Sequence, residues 1–389
     1  MTPYPAIDAV SGWSLAPDGP LPGAFYEQAV LTVTLQDEIT AQPPTVPVRA
    51  TTSTTGLIAR ASSGGLAGLV GSPIALYTAG FVAGAPLQVS FTAAGFLPLT
   101  LTTSLGAEAS FPTTFQPAAL GTMALHRQPL QISGRTVSNT HAVLGNASVT
   151  LDGIWMTFSD IAANPLPAPP NLISLGSPLY ADRDTTATVA QQNLTQAPPP
   201  EAKTLLAPGN VGDATVIVSD ATGLASGTVI GLDPDDPQRG EFIAITSVTQ
   251  LSSGTGTSAS LALAHNLVRP HAANAKAIRM IPAAAGVTNS LAVAARAGDT
   301  TLFPATMAGL DGTMSFAVIA SAASPAEYHA AAAMQTTSDL TTGFIRLPPV
   351  HRIAQLRLRV HHPSEPTDLL RDVMLPLGVS TLFLDLVYP

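Results

Sequence analysis

Gly212-Asp213-Ala214-Thr215, Thr222-Gly223-Leu224 and Glu241-Phe242 return further along the chain as Gly298-Asp299-Thr300-Thr301, Ala308-Gly309-Leu310 and Glu327-Tyr328. Each pair stands 86 residues apart, and His265 falls on His351 at the same offset. An ungapped offset over this many anchors predicts a duplicated module, larger than the unit of a solenoid. The first copy is expected over 205–282, with strands at 214–219, 227–232, 241–249, 258–264 and 275–281. The second is expected over 283–389 with C-terminal strands, near 291–294, 300–304, 313–319, 343–347 and 354–361. The Ala-rich run Ala326 to Met334 predicts one short helix there.

Composition agrees with β structure throughout. Of 389 residues, 46% are hydrophobic but only 5% aromatic, and 35 Pro and 31 Gly punctuate the apolar runs. β-branched residues between Gly and Pro turns read as short strands. That apolar content, with a net charge of only −9, excludes disorder. Charged residues make up 11%, against about 25% in an average domain. Such a surface is expected to be covered by partners, a homo-oligomer among them. A GC-rich genome favouring Ala, Pro, Gly and Arg codons would leave the same composition.

The chain is read in six parts. An extended arm spans 1–28, rich in Pro, with Trp13, Phe25 and Tyr26 as candidate anchors on another surface. A first β-sandwich spans 29–105. A connector and a strand pair span 106–160, and a Pro-rich linker spans 161–204. The two copies follow. The fold class is therefore all-β: several small β-sandwich-like domains joined by Pro-rich linkers.

No constellation for chemistry emerges, so no catalytic, cofactor or metal residues are assigned and the chain is expected not to be an enzyme. There is no Cys, hence no thiolate catalysis. His265 and His271 lack a third ligand at zinc spacing, and His361 and His362 point to opposite faces of a strand. Asp233 to Glu241 lacks the order of a calcium loop and reads as a solvated hairpin. Gly64-Gly65-Leu66-Ala67-Gly68 lacks the lysine of a phosphate loop. Arg357 and Arg359 share one face of a strand and offer bidentate pairing to carboxylates of a partner. Acidic balance speaks against nucleic acid, and no apolar run reaches membrane-spanning length. The start, Met1-Thr2-Pro3-Tyr4-Pro5, does not read as a signal peptide.

Two resemblances add to this. Leu130 to Val137 with Ala147 to Trp155, and Thr337-Ser338-Asp339 with Gly343 to Leu347, resemble the strand pairs of carboxypeptidase-regulatory-like or transthyretin-like, immunoglobulin-like β-modules. If both halves belong to one sandwich, the repeats are inserted within it. The alternative keeps 343–347 inside the second copy. The repeated phrase with Gly212-Asp213, Gly223-Leu224 and Glu241-Phe242 resembles small β-modules of phage tail and tail-like particle proteins. That implies a non-enzymatic structural or accessory subunit of a phage tail or contractile injection particle, assembled in the cytoplasm with other structural subunits. The other readings are a surface adhesin or glycan-binding module, and then a hydrolase with an unrecognised site.

Overall fold

The computed structural model describes residues 28–71, 86–104, 118–168, 170–197, 203–236, 238–251, 257–310, 316–321, 324–332 and 334–389. Among them lie many strands and one short helix, an all-β chain of several small sheets. Trp13, Phe25 and Tyr26 lie outside the described residues.

The first sandwich is local. Gln28–Asp37, Ile58–Ala61, Leu66–Gly71 and Ala118–Leu125 form one sheet, and Val48–Thr51, Pro86–Ala93 and Leu99–Ser104 the other. Alternate residues Leu31, Val33 and Leu35 meet Leu87, Val89 and Phe91 in the core between them. Ala118–Leu125 runs parallel to Gln28–Asp37, so part of the expected connector over 106–160 is a strand of this domain.

The second sandwich is assembled from both ends of the remaining chain. Gln131–Val137 lies between Phe344–Arg346 and Thr381–Val387, and Ser148–Trp155 lies between Gln335–Thr337 and Gln355–His361, with Leu369–Met374 beyond. Along Gln355–His361, Leu356, Leu358 and Val360 point inward and are fully buried, while Arg357, Arg359 and His361 point out. Gly134 is needed where Gln131–Val137 passes Thr381–Val387, because a Cβ there would sit 2.1 Å from the Leu384 carbonyl oxygen. Asp339 shapes the turn before Phe344–Arg346 by accepting from the N–H and hydroxyl of both Thr341 and Thr342. The strands expected at 343–347 and 354–361 in the second copy therefore belong to this outer sandwich, and both copies are inserted within it.

Between these halves the two copies interlock. The first is continuous: Lys203–Thr204, Thr215–Val218, Val229–Leu232, Glu241–Gln250, Ala259–Leu263 and Lys276–Pro282 close around Leu205, Ile230, Ile243, Ile245 and Leu261. The second has Thr288–Ser290, Thr301–Leu302, Phe316–Ser321 and Ser324–Ala332, but its last two strands come from upstream, as Ile173–Leu175 and Thr188–Gln191. Matching pairs prove the equivalence. Val216 opposes Leu261 as Leu302 opposes Ile173, and Ile245 opposes Leu263 as Ala331 opposes Leu175. The offset is +86 for the first half of the module, except +87 where Phe316–Ser321 matches Val229–Leu232, and −88 for the second. The second copy is thus a circular permutant that encloses the first.

Three expectations change accordingly. The supposed linker over 161–204 contains the end of the helix Phe158–Ala163, capped by a reciprocal Thr157–Asp160 box, and strands of both copies. Ala326 to Met334 is largely strand, because Ser324–Ala332 pairs with Phe316–Ser321 and this overrides alanine's helical preference. His351 is not the counterpart of His265: it lies in a loop of the outer sandwich, and Ser177 occupies the equivalent place.

Candidate functional site

Ionisable side chains gather at two buried junctions. The first lies where the copies meet, at Phe242 opposite Tyr328. Glu241 precedes Phe242 and is fully buried; its carboxylate accepts the N–H groups of Val268 (3.0 Å) and Arg269 (3.1 Å) and contacts His271 Nε2 (2.9 Å). Glu327 does the same in the other copy. It accepts the N–H groups of Tyr180 (2.8 Å) and Ala181 (3.1 Å) and forms an ion pair with Arg183 (2.5 Å). Each glutamate therefore pins the loop that leads into its module's last strand. Burial alone would raise the Glu327 carboxyl, but His329, the Tyr180 N–H and Arg183 hold it below its ordinary value. Burial pulls His271 down, yet Glu241 and Asp233 on either side raise it overall.

Asp233 to Glu241 is consequently not a wholly solvated hairpin. Asp233 contacts His271 Nδ1 at 2.9 Å, opposite Glu241, while Asp235 pairs with Lys276 at the surface. Repeated strand and turn residues announced the module, but only the fold brings its two ends onto one glutamate.

One chain of contacts here has the composition of a hydrolytic triad. Ser177 Oγ lies 2.7 Å from His329 Nδ1, and His329 Nε2 lies 2.9 Å from Glu327. A nucleophile must reach its substrate, and this serine does not: Ser177 is 2% exposed and His329 0%. Tyr180 stacks on both His329 and His265 with ring centres 5.1 Å apart, closing the site from above. Its carboxylate is already occupied by Arg183 and two backbone donors. The arrangement orients Glu327 and packs the junction.

The second junction joins the first sandwich, the second copy and the outer sandwich. Asp299 is fully buried, with His126 Nδ1 at 3.3 Å, Arg352 Nη1 at 3.4 Å and the Arg296 N–H at 2.9 Å. His351 Nε2 lies 2.9 Å from Asp299 Oδ1. Glu38, from the turn after the first strand, accepts the Arg127 N–H (2.8 Å) and pairs with Arg352 (3.1 Å). Burial pushes the Glu38 carboxyl up to about 7, against the pull of Arg352 and the Arg127 N–H. Burial would also raise Asp299, but His126 and His351 hold it well below the carboxylate range. His126 itself is lowered, chiefly by burial.

Beside this junction runs a mostly apolar groove of about 440 Å3, lined by Thr40, Phe158, Met374, Leu377 and Leu382, with the Arg127–Asp37 ion pair among its walls. Among the described residues no cluster of three or more His, Asp or Glu is arranged to hold a metal ion.

Arg357 and Arg359 share the outer face of their strand, but their carboxylates come from their own sheet. Arg357 pairs with Asp372 (2.6 Å) and lies over the Trp155 ring at 5.4 Å; Arg359 pairs with Asp152 (2.6 Å) and Asp368 (3.2 Å). Their expected offer to a partner is therefore already taken up within the protein. The three aspartates were visible in the sequence, but the cross-strand register that selects them was not.

No family model matches the chain, and no curated protein matches it. Among solved structures, the crystal structure of the major pilin subunit BcpA of Bacillus cereus aligns with 92% of this chain and 98% of its own, at 7% identity and a TM-score of 0.19. A TM-score that low carries no argument about fold or role. Among the described residues no helix is long and apolar enough to cross a membrane.

Proposed function

We propose that this chain is a structural or accessory subunit of a larger particle, a phage tail or contractile injection particle being the assembly its repeated phrase resembles, and that it acts by contact with neighbouring subunits, copies of itself among them. The carrying observation is the open face of the outer sheet. Phe344, Arg135 and Asp385 stand in one row across its three strands, and Phe383 and Val387 flank Asp385 on the same side. Phe344 is 45% exposed, Phe383 56% and Val387 38%. Grouped exposed apolar side chains on a charge-poor surface favour a protein contact. Nesting supports the same reading, because every inserted module is tied to its host by two chain crossings. The ionisable clusters, for their part, bind the modules to one another.

The test is reconstitution. The purified chain is mixed with sheath, tube and baseplate subunits of one particle and followed by sizing and electron microscopy. Incorporation at a fixed position is expected. A chain that stays monomeric with every subunit set, or that gives saturable hits on a glycan array, contradicts the proposal.

A further inference from the structure

The turn containing Asp213 and the turn containing Asp299 are the same object in two settings. Gly212 and Gly298 both adopt a φ of 94°, a left-handed conformation that favours glycine. Gly212 N–H donates to Leu267 O (2.8 Å) as Gly298 N–H donates to Leu179 O (2.9 Å). Leu267 N–H donates to Asp213 O and Leu179 N–H to Asp299 O, each at 2.9 Å. Even the carboxylates match: Asp213 accepts the Asn210 N–H (2.7 Å) and Asp299 the Arg296 N–H (2.9 Å).

What differs is the cover. In the second copy Asp299 and Thr301 are 0% exposed, beneath the loops that carry His126, His351 and Arg352. A Cβ on Gly298 would meet Leu97 at 3.5 Å, whereas one on Gly212 would meet nothing within 4 Å. In the first copy Gly212, Ala214 and Thr215 are exposed, and the rim is more apolar than its counterpart. Leu206 stands where the second copy has Ala292, and Val211 where it has Ala297; they are 52% and 63% exposed.

The second copy therefore displays what fits this turn: a protein edge bearing imidazole and guanidinium groups. We infer that the face over residues 206–215 of the first copy docks a partner protein through a segment carrying arginine or histidine side chains, with Leu206 and Val211 as its apolar rim. A nucleic acid has the wrong charge for the Asp213 carboxylate. A second copy of this chain cannot present this same edge, because its own His126, His351 and Arg352 are already buried against Asp299. The inference deepens the contact role proposed above, and membership of a particle, read by co-sedimentation, is measured separately from occupancy of this face.

The experiment places a benzoylphenylalanine photo-crosslinker at position 214 of the full chain, or at position 206 should the first variant not fold, in the cells that make the protein. Position 238, an exposed residue of the first copy away from this turn in sequence, is the control. The expected result is one dominant protein adduct whose crosslinked residue lies beside an Arg or His. Its yield should fall about tenfold on Asp213→Asn, which keeps an acceptor for the Asn210 N–H and removes only the charge. Adduct formation no greater than at position 238, attachment to nucleic acid or to an acidic segment, or a yield unchanged by Asp213→Asn would each overturn the inference.

Discussion

Phe242 and Tyr328, equivalent residues of the two copies, face each other directly where the long strand of one module meets the long strand of the other. The Phe242 ring also meets the edge of Phe316, with centres 4.7 Å apart. Glu241 and Glu327, one residue earlier in each strand, are thereby brought to the same buried seam. A local pseudo-two-fold relation thus places both loop-pinning acids at the contact between copies.

Breaking that seam on one side should be costly. Arg183 and Glu327 are both fully buried, so Glu327→Gln leaves a guanidinium without its counter-charge. A loss of about 3–5 kcal/mol is expected in denaturant unfolding of the inserted modules. The double variant Arg183→Leu/Glu327→Leu should lose less than the sum of the two single changes. Additive losses would show that the pair is not coupled.

The permuted completion of the second copy can be locked covalently. The natural chain has no Cys, so Thr188→Cys with Ser290→Cys introduces the only thiols, at directly paired strand positions. Oxidation should close an intramolecular disulfide that non-reducing electrophoresis detects. Thr188→Cys with Thr204→Cys, on strands that do not pair, should not.

The three-way junction should leave a signature in pH. Glu38 has a folded value near 7 and an ordinary value of 4.5, so the folded state holds its proton longer. Its contribution is fully present below 4.5 and is lost as pH rises towards 7. His126 acts in the opposite direction: its lowered folded value means that stability is lost as pH falls through its ordinary 6.5. Glu38→Gln should therefore remove the Glu38 limb while keeping that of His126, and stabilise the protein at pH 8 by about 1–2 kcal/mol. Parallel stability–pH curves for the variant and the parent would count against a protonated Glu38.

The buried Ser177–His329–Glu327 chain should be chemically silent. Native protein treated with a fluorophosphonate is expected to keep its mass, since Ser177 is enclosed. A single adduct mapped to Ser177 would revive the hydrolase reading.

Much of the fold was legible, and the limits are instructive. Strand positions in the first copy followed from Gly and Pro punctuation and agree closely, because that module is continuous in sequence. The outer sandwich was visible as two phrases, Leu130 to Trp155 and Thr337 to Leu347, whose pairing only the fold decides. Permutation was hidden: Ile173–Leu175 and Thr188–Gln191 lie among prolines and match the first copy at −88, an offset the +86 pattern does not suggest. His265 and His351 shared the +86 offset by coincidence. At the junctions, Glu38, His126, Asp299 and Arg352 lie far apart in sequence, and burial from three separate bodies is what brings them together.

The most direct measurement is sedimentation of intact particles from cells that make this chain, with the chain quantified across the gradient against Phe383→Glu. Phe383 is exposed, so this change should alter folding stability by no more than about 0.5 kcal/mol. The account predicts that the parent co-sediments with particles at a fixed stoichiometry and that the variant remains near the top of the gradient. A parent chain found only there, as a free 39.7 kDa monomer, would contradict it.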